Sequence, residues 1–402
     1  MNTDENISKT ERNPRVALIV TDAYAFNTLS RGQLEYFRDI GMDLDLFCYG
    51  NEQQMDLLKS RKVGRVHFVP FRRRPHPIFD LAALAVLVWH LIRCRYTSVV
   101  FSTPKAMLLG SLAAFLTFQS RRICFVRGRA YETMHGRKRK LYLAMDRMSF
   151  SLSHRIIFLS HSLAQAFRSD GVELGEKASV LGHGSSNGVD LERFRPLSSD
   201  ERAALRNLND LSEDDFVIVI AGRIVPDKGV AEALELIERL RDQADLRWFF
   251  IGWPESSDLT ARIAALEGAG VRHLDHSRDL HNWLGLADLS FLPSHREGFG
   301  NVGIEAAACE IPSLAFDVVG LRDSIADGRT GHLVEFGDLE ACEAFIRSAM
   351  SDRAAFKRKY PGARAWVAER FERRAVWQRY AAAYCADVAE DSVRNPAASE
   401  GP

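Results

Sequence analysis

The 402-residue sequence predicts an α/β protein made of two doubly wound, Rossmann-like sheets facing each other across a cleft. Three observations carry this expectation. Short apolar runs alternate with helix-length segments, the rhythm of a parallel sheet with crossover helices. A glycine- and serine-rich break, Gly182–Ser186, interrupts that rhythm, which restarts near residue 216. The length suits two domains at roughly 100–200 residues each. The expected units are residues 15–190 and 191–388, with the last helix able to pack back on the first unit. Residues 1–14 and 389–402 are expected to be disordered tails.

The first unit opens with Val16–Val20, a β-branched run followed by Thr21-Asp22, which reads as a buried strand. Further strands are expected at Asp43–Cys48, Val66–Val69, Ser98–Phe101, Ile123–Val126, Arg155–Leu159 and Ser179–Leu181. Helical segments lie between them at Gly32–Ile40, Ala106–Phe118, Arg139–Ser151 and Ser162–Asp170. In Phe79–Ile92, Leu81, Leu84, Val88 and Leu91 would share one helix face. After the polar turn Pro196–Asp200, Phe216–Ala221 begins the second unit as a strand. Val230–Arg241 is an amphipathic helix with Val230, Ala233, Leu234, Ile237 and Leu240 on one face. Strands follow at Leu246–Ile251, Val271–Leu274, Leu289–Leu292 and Ser313–Phe316. Arg364–Val388 reads as one helix with Trp366, Phe371, Trp377, Tyr380 and Tyr384 as packing residues, and a hinge is expected near residue 190.

Apolar residues at 46% and charged residues at 26% exclude disordered, collagen-like and coiled-coil chains. The charges balance overall but not by half. Residues 1–200 hold 29 Lys/Arg against 19 Asp/Glu, a balance of +10, and residues 201–402 hold 24 against 34, a balance of −10. The basic half is expected to face something anionic. Six scattered cysteines without a C-x-x-C pair argue against a zinc ribbon and a disulfide framework. The first residues lack a signal-peptide core. The longest apolar stretch, Leu81–Trp89, falls short of the roughly 20 residues that span a bilayer. A cytoplasmic protein is therefore expected.

Two loops carry chemistry. Ala221 to Gly229 follows a strand and precedes a helix. Gly222 permits a sharp turn there, and Arg223 and Lys228 can both aim at one anion, such as a diphosphate. Taken alone, this loop reads equally as a surface loop with two unrelated cations. The second loop runs from Pro293 to Gly300, before a helix that starts near Asn301, a plausible N-cap. The amides of Gly300 to Gly303, with the helix dipole, form an anion site. Glu297 in the loop and Glu305 in the helix can each accept hydrogen bonds from hydroxyls on opposite sides of the phosphates. That layout suits a nucleotide-sugar. The plainer alternative is a strand-loop-helix with two solvated glutamates.

At these residues the sequence resembles the family 4 glycosyltransferases of the GT-B fold. Arg223-x-x-x-x-Lys228-Gly229 is similar to their phosphate loop, and Glu297-Gly298-Phe299 through Glu305 to their E-x7-E motif. Asn187-Gly188-Val189-Asp190 to Phe194 and Asp327-Gly328-Arg329-Thr330-Gly331 to Val334 resemble two further family segments. Thr103-Pro104-Lys105-Ala106 and Gly32-Gln33-Leu34 resemble bacterial polysaccharide members.

The resemblance implies that Arg223 and Lys228 bind the donor diphosphate, Glu305 the ribose diol and Glu297 the transferred sugar. The catalytic set becomes Glu297, Arg223, Lys228 and Arg127. The donor-binding set becomes Gly222, Arg223, Lys228, Gly298, Phe299, Gly300, Asn301, Val302 and Glu305. The implied activity is retaining transfer of a hexose or N-acetylhexosamine-type sugar from a nucleotide-sugar, UDP-linked, to a lipid-linked bacterial glycan. No metal or other cofactor is implied. Many members carry a V-H-G segment where this chain has Val126-Arg127-Gly128, so Arg127 would contact phosphate or an acidic group instead. The N-terminal glycine pair of the family is replaced by Thr21 to Ala25.

Other patterns read as structural. Asp43-Leu44-Asp45 has metal-site spelling but sits in an alternating strand, where solvated strand-edge charge is expected. Gly182-x-Gly184 has the wrong spacing for a dinucleotide loop, and His273 and His276 lack a third ligand nearby in sequence. The clusters Arg72–Arg74, Arg121-Arg122 and Arg137–Lys140 read as ordinary surface or as contact with anionic lipid or a lipid diphosphate. Nucleic acid is disfavoured, because no aromatics are interleaved with the cations. An epimerase or hydrolase on the same scaffold, and a non-catalytic nucleotide-sugar binder, remain alternatives at this point.

Overall fold

The computed structural model describes residues 13–385 except 73, 133, 269 and 276–278. Asn13 and Pro14 apart, the two tails lie outside the described residues, as do Arg73 and His276. The first sheet contains β1 (Arg15–Asp22), β2 (Asp43–Tyr49), β3 (Arg65–Phe68), β4 (Ser98–Ser102), β5 (Arg122–Val126), β6 (Arg155–Phe158) and β7 (Ala178–Val180). The second contains β8 (Phe216–Ala221), β9 (Leu246–Ile251), β10 (Val271–Leu274), β11 (Leu289–Leu292), β12 (Ser313–Phe316) and β13 (Gly331–Val334). Their orders are β3-β2-β1-β4-β5-β6-β7 and β10-β9-β8-β11-β12-β13, and every pairing is parallel. In each sheet the order reverses once, between β1 and β4 and between β8 and β11. These are the crevices in which open α/β sheets bind ligands.

Helices cover both faces of the sheets, so central strands read as unbroken apolar runs; all six residues of β8 are buried. The helix Val230–Arg239 buries Val230, Ala233, Leu234, Leu236 and Ile237 against this sheet. All six cysteines are free.

Four expectations need correction. The helix expected over Arg364–Val388 is two helices, Ala363–Phe371 and Arg373–Cys385. Glu372 between them is extended and pairs with Val189, where the Val189 amide donates to the Phe371 carbonyl at 2.8 Å. The Glu372 carboxylate then accepts from the amides of Arg374 and Ala375 at 3.0 and 2.8 Å and restarts the helix. The two chain crossings between the sheets therefore lie side by side. The last helix packs on the first unit through Tyr380 on Phe125 of β5 and Tyr384 on Phe37 of the helix Gln33–Asp39, with ring centroids 5.3 and 5.8 Å apart.

Arg121 is not a surface cation. It is buried and donates to the Ala383 carbonyl at 2.9 Å, tying that last helix down.

Asp45 is not solvated either. It is fully buried and meets Arg15 Nε at 2.8 Å, Arg65 Nε at 2.9 Å and His67 Nε2 at 2.6 Å. Burial alone would raise its pKa, but the hydrogen bonds from His67, Arg65 and Arg15 hold the carboxyl well below the usual range. This cluster forms because Asp45 on β2 is flanked by β1 and β3.

The fourth correction concerns the helix Pro77–Arg93. Its buried face is Ala83, Leu87 and Leu91, whereas Leu81 is 68% exposed. Leu81 and Leu91 do not share a face.

Candidate functional site

The loops following β8 and β11 meet at the second sheet's switch point. Gly229 makes this possible: its φ is +67°, and a Cβ there would lie 1.8 Å from the Pro293 carbonyl oxygen. Lys228, at the end of a short turn Pro226–Lys228, forms an ion pair with Glu297 from the other loop. Ser294 Oγ donates to the same Glu297 oxygen at 3.0 Å. Arg223 lies at the rim, where its Nη1 donates to Glu255 at 3.0 Å. In this state, Arg223 and Lys228 thus each hold a carboxylate. Glu255 escaped the sequence reading. The signal was Gly252 directly after β9, since a Cβ there would lie 1.7 Å from the Gly222 carbonyl oxygen and bring the two loops together.

The helix Asn301–Ala308 starts at the switch point. Asn301 is not its N-cap, contrary to the expectation from sequence. Gly300 occupies that position in the left-handed region and offers no side-chain cap. Asn301 Oδ1 instead accepts from Ser185 Oγ of the facing unit at 3.0 Å. Among the described residues the Asn301 and Val302 amides donate to nothing, leaving a helix N-terminus open to an anion.

Phe299 needs a second correction. Its side chain is buried, edge-to-face with Phe371 at a centroid distance of 5.3 Å, so only its backbone can face a ligand. Val302 is partly buried against the core. Gly298 presses on the facing unit: its carbonyl accepts from Ser160 Oγ at 2.8 Å, and a Cβ would lie 2.1 Å from the Arg127 carbonyl oxygen.

Glu305 lies on the second turn of that helix. Burial pushes its carboxyl up to about 7, with Arg193 the charge that pulls it down. No hydrogen bond reaches its oxygens among the described residues. Arg127, from the other wall, donates to Ser102 Oγ and Ser186 Oγ, both at 3.1 Å, and lies 4.4 Å over the Phe125 ring. The two walls are joined by Asp323, which accepts from the amides of His161 at 2.6 Å and Ser162 at 3.2 Å, at the start of a first-unit helix.

The structure thus brings Lys228, Glu297, Gly298, Gly300 and the Asn301 amide to one point. Arg223 and Gly222 lie at its rim and Glu305 behind it. Among the described residues no group of three His, Cys, Asp or Glu side chains could hold a metal ion. His273 Nε2 lies 3.0 Å from the Gly252 carbonyl oxygen.

Two facing parallel sheets with a site at their switch points define the GT-B class of architecture. Comparison with known proteins agrees. Residues 31–193 match the family model described as Glycosyltransferase Family 4, and residues 201–366 the model described as Glycosyl transferases group 1. The capsular polysaccharide biosynthesis glycosyltransferase CapM of Staphylococcus aureus is 29% identical over 377 residues, covering 93% of this chain and 97% of its own. The D-inositol 3-phosphate glycosyltransferase of Geodermatophilus obscurus is 36% identical over 200 residues, 44% of this chain and 43% of its own. Sucrose-phosphate synthase from Thermosynechococcus elongatus superimposes with a TM-score of 0.75 at 18% identity, covering 92% of this chain and 98% of its own. HepE of Anabaena, in complex with UDP and glucose, superimposes with a TM-score of 0.74 at 18% identity, covering 92% and 99%. The two structural likenesses speak for the fold alone. Between them the two family matches span most of the chain, which belongs to the family 4 glycosyltransferases and is a glycosyltransferase of the GT-B fold.

Proposed function

We propose that this glycosyltransferase moves a hexose or N-acetylhexosamine-type sugar, with retention of configuration, from a UDP-sugar to a lipid-linked glycan destined for a bacterial surface polysaccharide. The observation that carries this reading is Glu305, a carboxylate without a hydrogen-bond partner, set behind an uncapped helix N-terminus and the Lys228–Glu297 pair. A ribose diol offers two donors to Glu305. The diphosphate takes the Asn301 and Val302 amides, with Lys228 and Arg223 beside it. The sugar then reaches Glu297. HepE in complex with UDP and glucose, and the capsular role in the name of CapM, support the donor and the product class.

In the step proposed, the anomeric carbon–phosphate oxygen bond breaks while the acceptor hydroxyl oxygen bonds to the same face of that carbon. The hydroxyl proton passes to the departing phosphate oxygen. Lys228, Arg223 and the helix amides stabilise the charge gathering on the diphosphate. Two cations and a helix N-terminus can neutralise a diphosphate without a divalent ion, so turnover should persist in EDTA. Rescue of an EDTA-silenced enzyme by Mg²⁺ or Mn²⁺ would remove this part.

The acceptor side of the proposal rests on the outer face of Pro77–Arg93. Ile78, Leu81, Trp89 and Ile92 are exposed there, and Phe115, Leu116 and Phe118 are exposed at the end of the neighbouring helix. Arg72 lies 4.3 Å over Phe79 and Arg93 3.9 Å over Trp89, cations set around an apolar strip. An anionic bilayer fits both features, at about 1 kcal/mol for each basic residue near the surface. Among the described residues no helix is long and apolar enough to cross a membrane. Co-sedimentation with phosphatidylglycerol vesicles at low salt tests this face. Wild type should sediment, and a Leu81→Glu/Trp89→Glu variant should stay in solution. Equal behaviour of the two would discard the contact.

The donor is tested by thermal shift across a nucleotide-sugar panel, since a ligand at 100 times its Kd stabilises by about 2.7 kcal/mol. UDP release must then depend on a lipid-linked acceptor and yield the glycosylated product. UDP release without acceptor would indicate a hydrolase, and sugar conversion without transfer an epimerase.

A further inference from the structure

We propose that Arg127 receives an anionic group, a carboxylate or a phosphate, carried by the transferred sugar or by the acceptor, so that this enzyme selects an acidic substrate at the first-sheet wall of its cleft. The inference rests on the donor reading above.

Arg127 stands one residue past β5, at the strand end that opens into the cleft. Its carbonyl lies against Gly298, next to Glu297, which sets its backbone at the expected sugar end of the site, while its guanidinium lies over Phe125 beside Ser102, Ser186 and Tyr384. Among the described residues no carboxylate lies within ion-pair distance of its guanidinium, whose partners are the Ser102 and Ser186 hydroxyls. Neighbouring arginines differ. Arg129 holds Glu132 and Asp170, Arg296 holds Asp227, and Arg373 holds Asp190. Hydroxyls orient the fork but leave its charge intact. Ser186 is itself held, because Gln33 Nε2 donates to its carbonyl at 2.8 Å. Among the described residues nothing accepts a hydrogen bond from Arg127 Nη2, which keeps some solvent exposure.

Burial pushes the Arg127 pKa down, with Tyr384 and Tyr380 acting the other way. A partly buried cation with no carboxylate beside it is held less favourably than a paired one. A substrate anion in bidentate contact would remove that cost and convert it into preference.

The test compares wild type, Arg127→Gln and Arg127→Lys as full chains, with UDP as the reference ligand in each. UDP-glucose against UDP-glucuronic acid addresses the sugar. A neutral alkyl glycoside against the same glycoside on a diphosphate-linked alkyl chain addresses the acceptor. Affinity is read by thermal shift and transfer by kcat/KM. In one of the two pairs, wild type should favour the anionic member at least about tenfold. Arg127→Gln should abolish that ratio and Arg127→Lys should keep part of it. The pair that responds identifies the source of the anion. No preference in either pair, or an equal loss for neutral and anionic members in both variants, would overturn the proposal. If wild type fails to bind UDP, the donor reading falls instead, and the acceptor pair still reports on Arg127 through thermal shift. Should Arg127→Gln not fold, Arg127→Lys alone decides, because a framework role would not change the anionic-to-neutral ratio.

Discussion

The cleft holds the cations Lys228 and Arg223 on one wall and Arg127 on the other in different ways. On the second sheet, Lys228 is held by Glu297 and Arg223 by Glu255. On the first sheet, Arg127 has the Ser102 and Ser186 hydroxyls and the Phe125 ring but, among the described residues, no carboxylate. A paired cation is kept in place before the ligand arrives, and the ligand must displace or share its carboxylate. An unpaired cation is ready but costs stability until an anion comes. The second wall is therefore a site that rearranges on binding, and the first is one that waits. Burial separates the second-sheet pairs further. Lys228 and Glu297 are mostly covered, whereas Arg223 and Glu255 are each 44% exposed. An exposed pair contributes only ~0–1 kcal/mol, so Arg223 is the more easily released.

The largest expected effect tests the covered pair. Lys228→Ala should lower kcat/KM by roughly 10²–10³, through loss of a preorganised charge at the leaving group. Glu297→Gln should lower kcat more than it raises KM, while leaving UDP affinity nearly intact. Turnover close to wild type in Lys228→Ala would remove this wall from the mechanism.

Next comes Glu305, whose unpartnered carboxyl has a pKa of about 7. Its ionised form is the one that accepts two ribose hydrogen bonds. Donor affinity should therefore fall about tenfold between pH 8 and pH 6, and Glu305→Gln should flatten that slope while weakening the donor. Stability moves in the opposite direction. The carboxyl ionises near 4.5 when unfolded and near 7 when folded, so the ligand-free protein loses stability as pH rises through that window. Glu305→Gln should thus raise the melting temperature at pH 8. A variant that both melts earlier and binds normally would make Glu305 structural.

The smallest effects belong to the rim. Arg223→Ala should cost only about tenfold in kcat/KM, because its charge is already shared with Glu255 and with water. Glu255→Ala should act with the opposite sign, freeing Arg223 and tightening UDP binding by about two- to threefold. Weaker binding in Glu255→Ala, measured by titration calorimetry, would mean that the pair serves the ligand as a unit.

Much of the fold could be read from the sequence, since its signals are local. The apolar run Phe216–Ala221 is a buried strand because a central parallel strand touches helices on both faces. The break at Glu372 was hidden, because it depends on Val189, far away in the chain. The same holds for Leu81. Its helical spacing from Leu84, Val88 and Leu91 is regular, but only the packed sheet decides that Leu91 faces inward and Leu81 outward.

Composition, periodicity and loop spelling by themselves determined the two-sheet architecture, the loops at the second switch point and the identity of Arg223, Lys228, Glu297 and Glu305 as candidates. Partnership was decided by tertiary structure alone. Asp45 became a buried hub because β1 and β3 place Arg15, Arg65 and His67 around it. Phe299 went to the core because Phe371 meets it there, and Lys228 met Glu297 across 69 residues of sequence. Among the described residues Arg127 was left without a counter-ion, because the side chains around it are the hydroxyls of Ser102 and Ser186, the Phe125 ring and the tyrosines of the last helix. Periodicity is encoded between near neighbours in the chain, whereas the charge that a side chain meets depends on distant segments brought together by burial of the core.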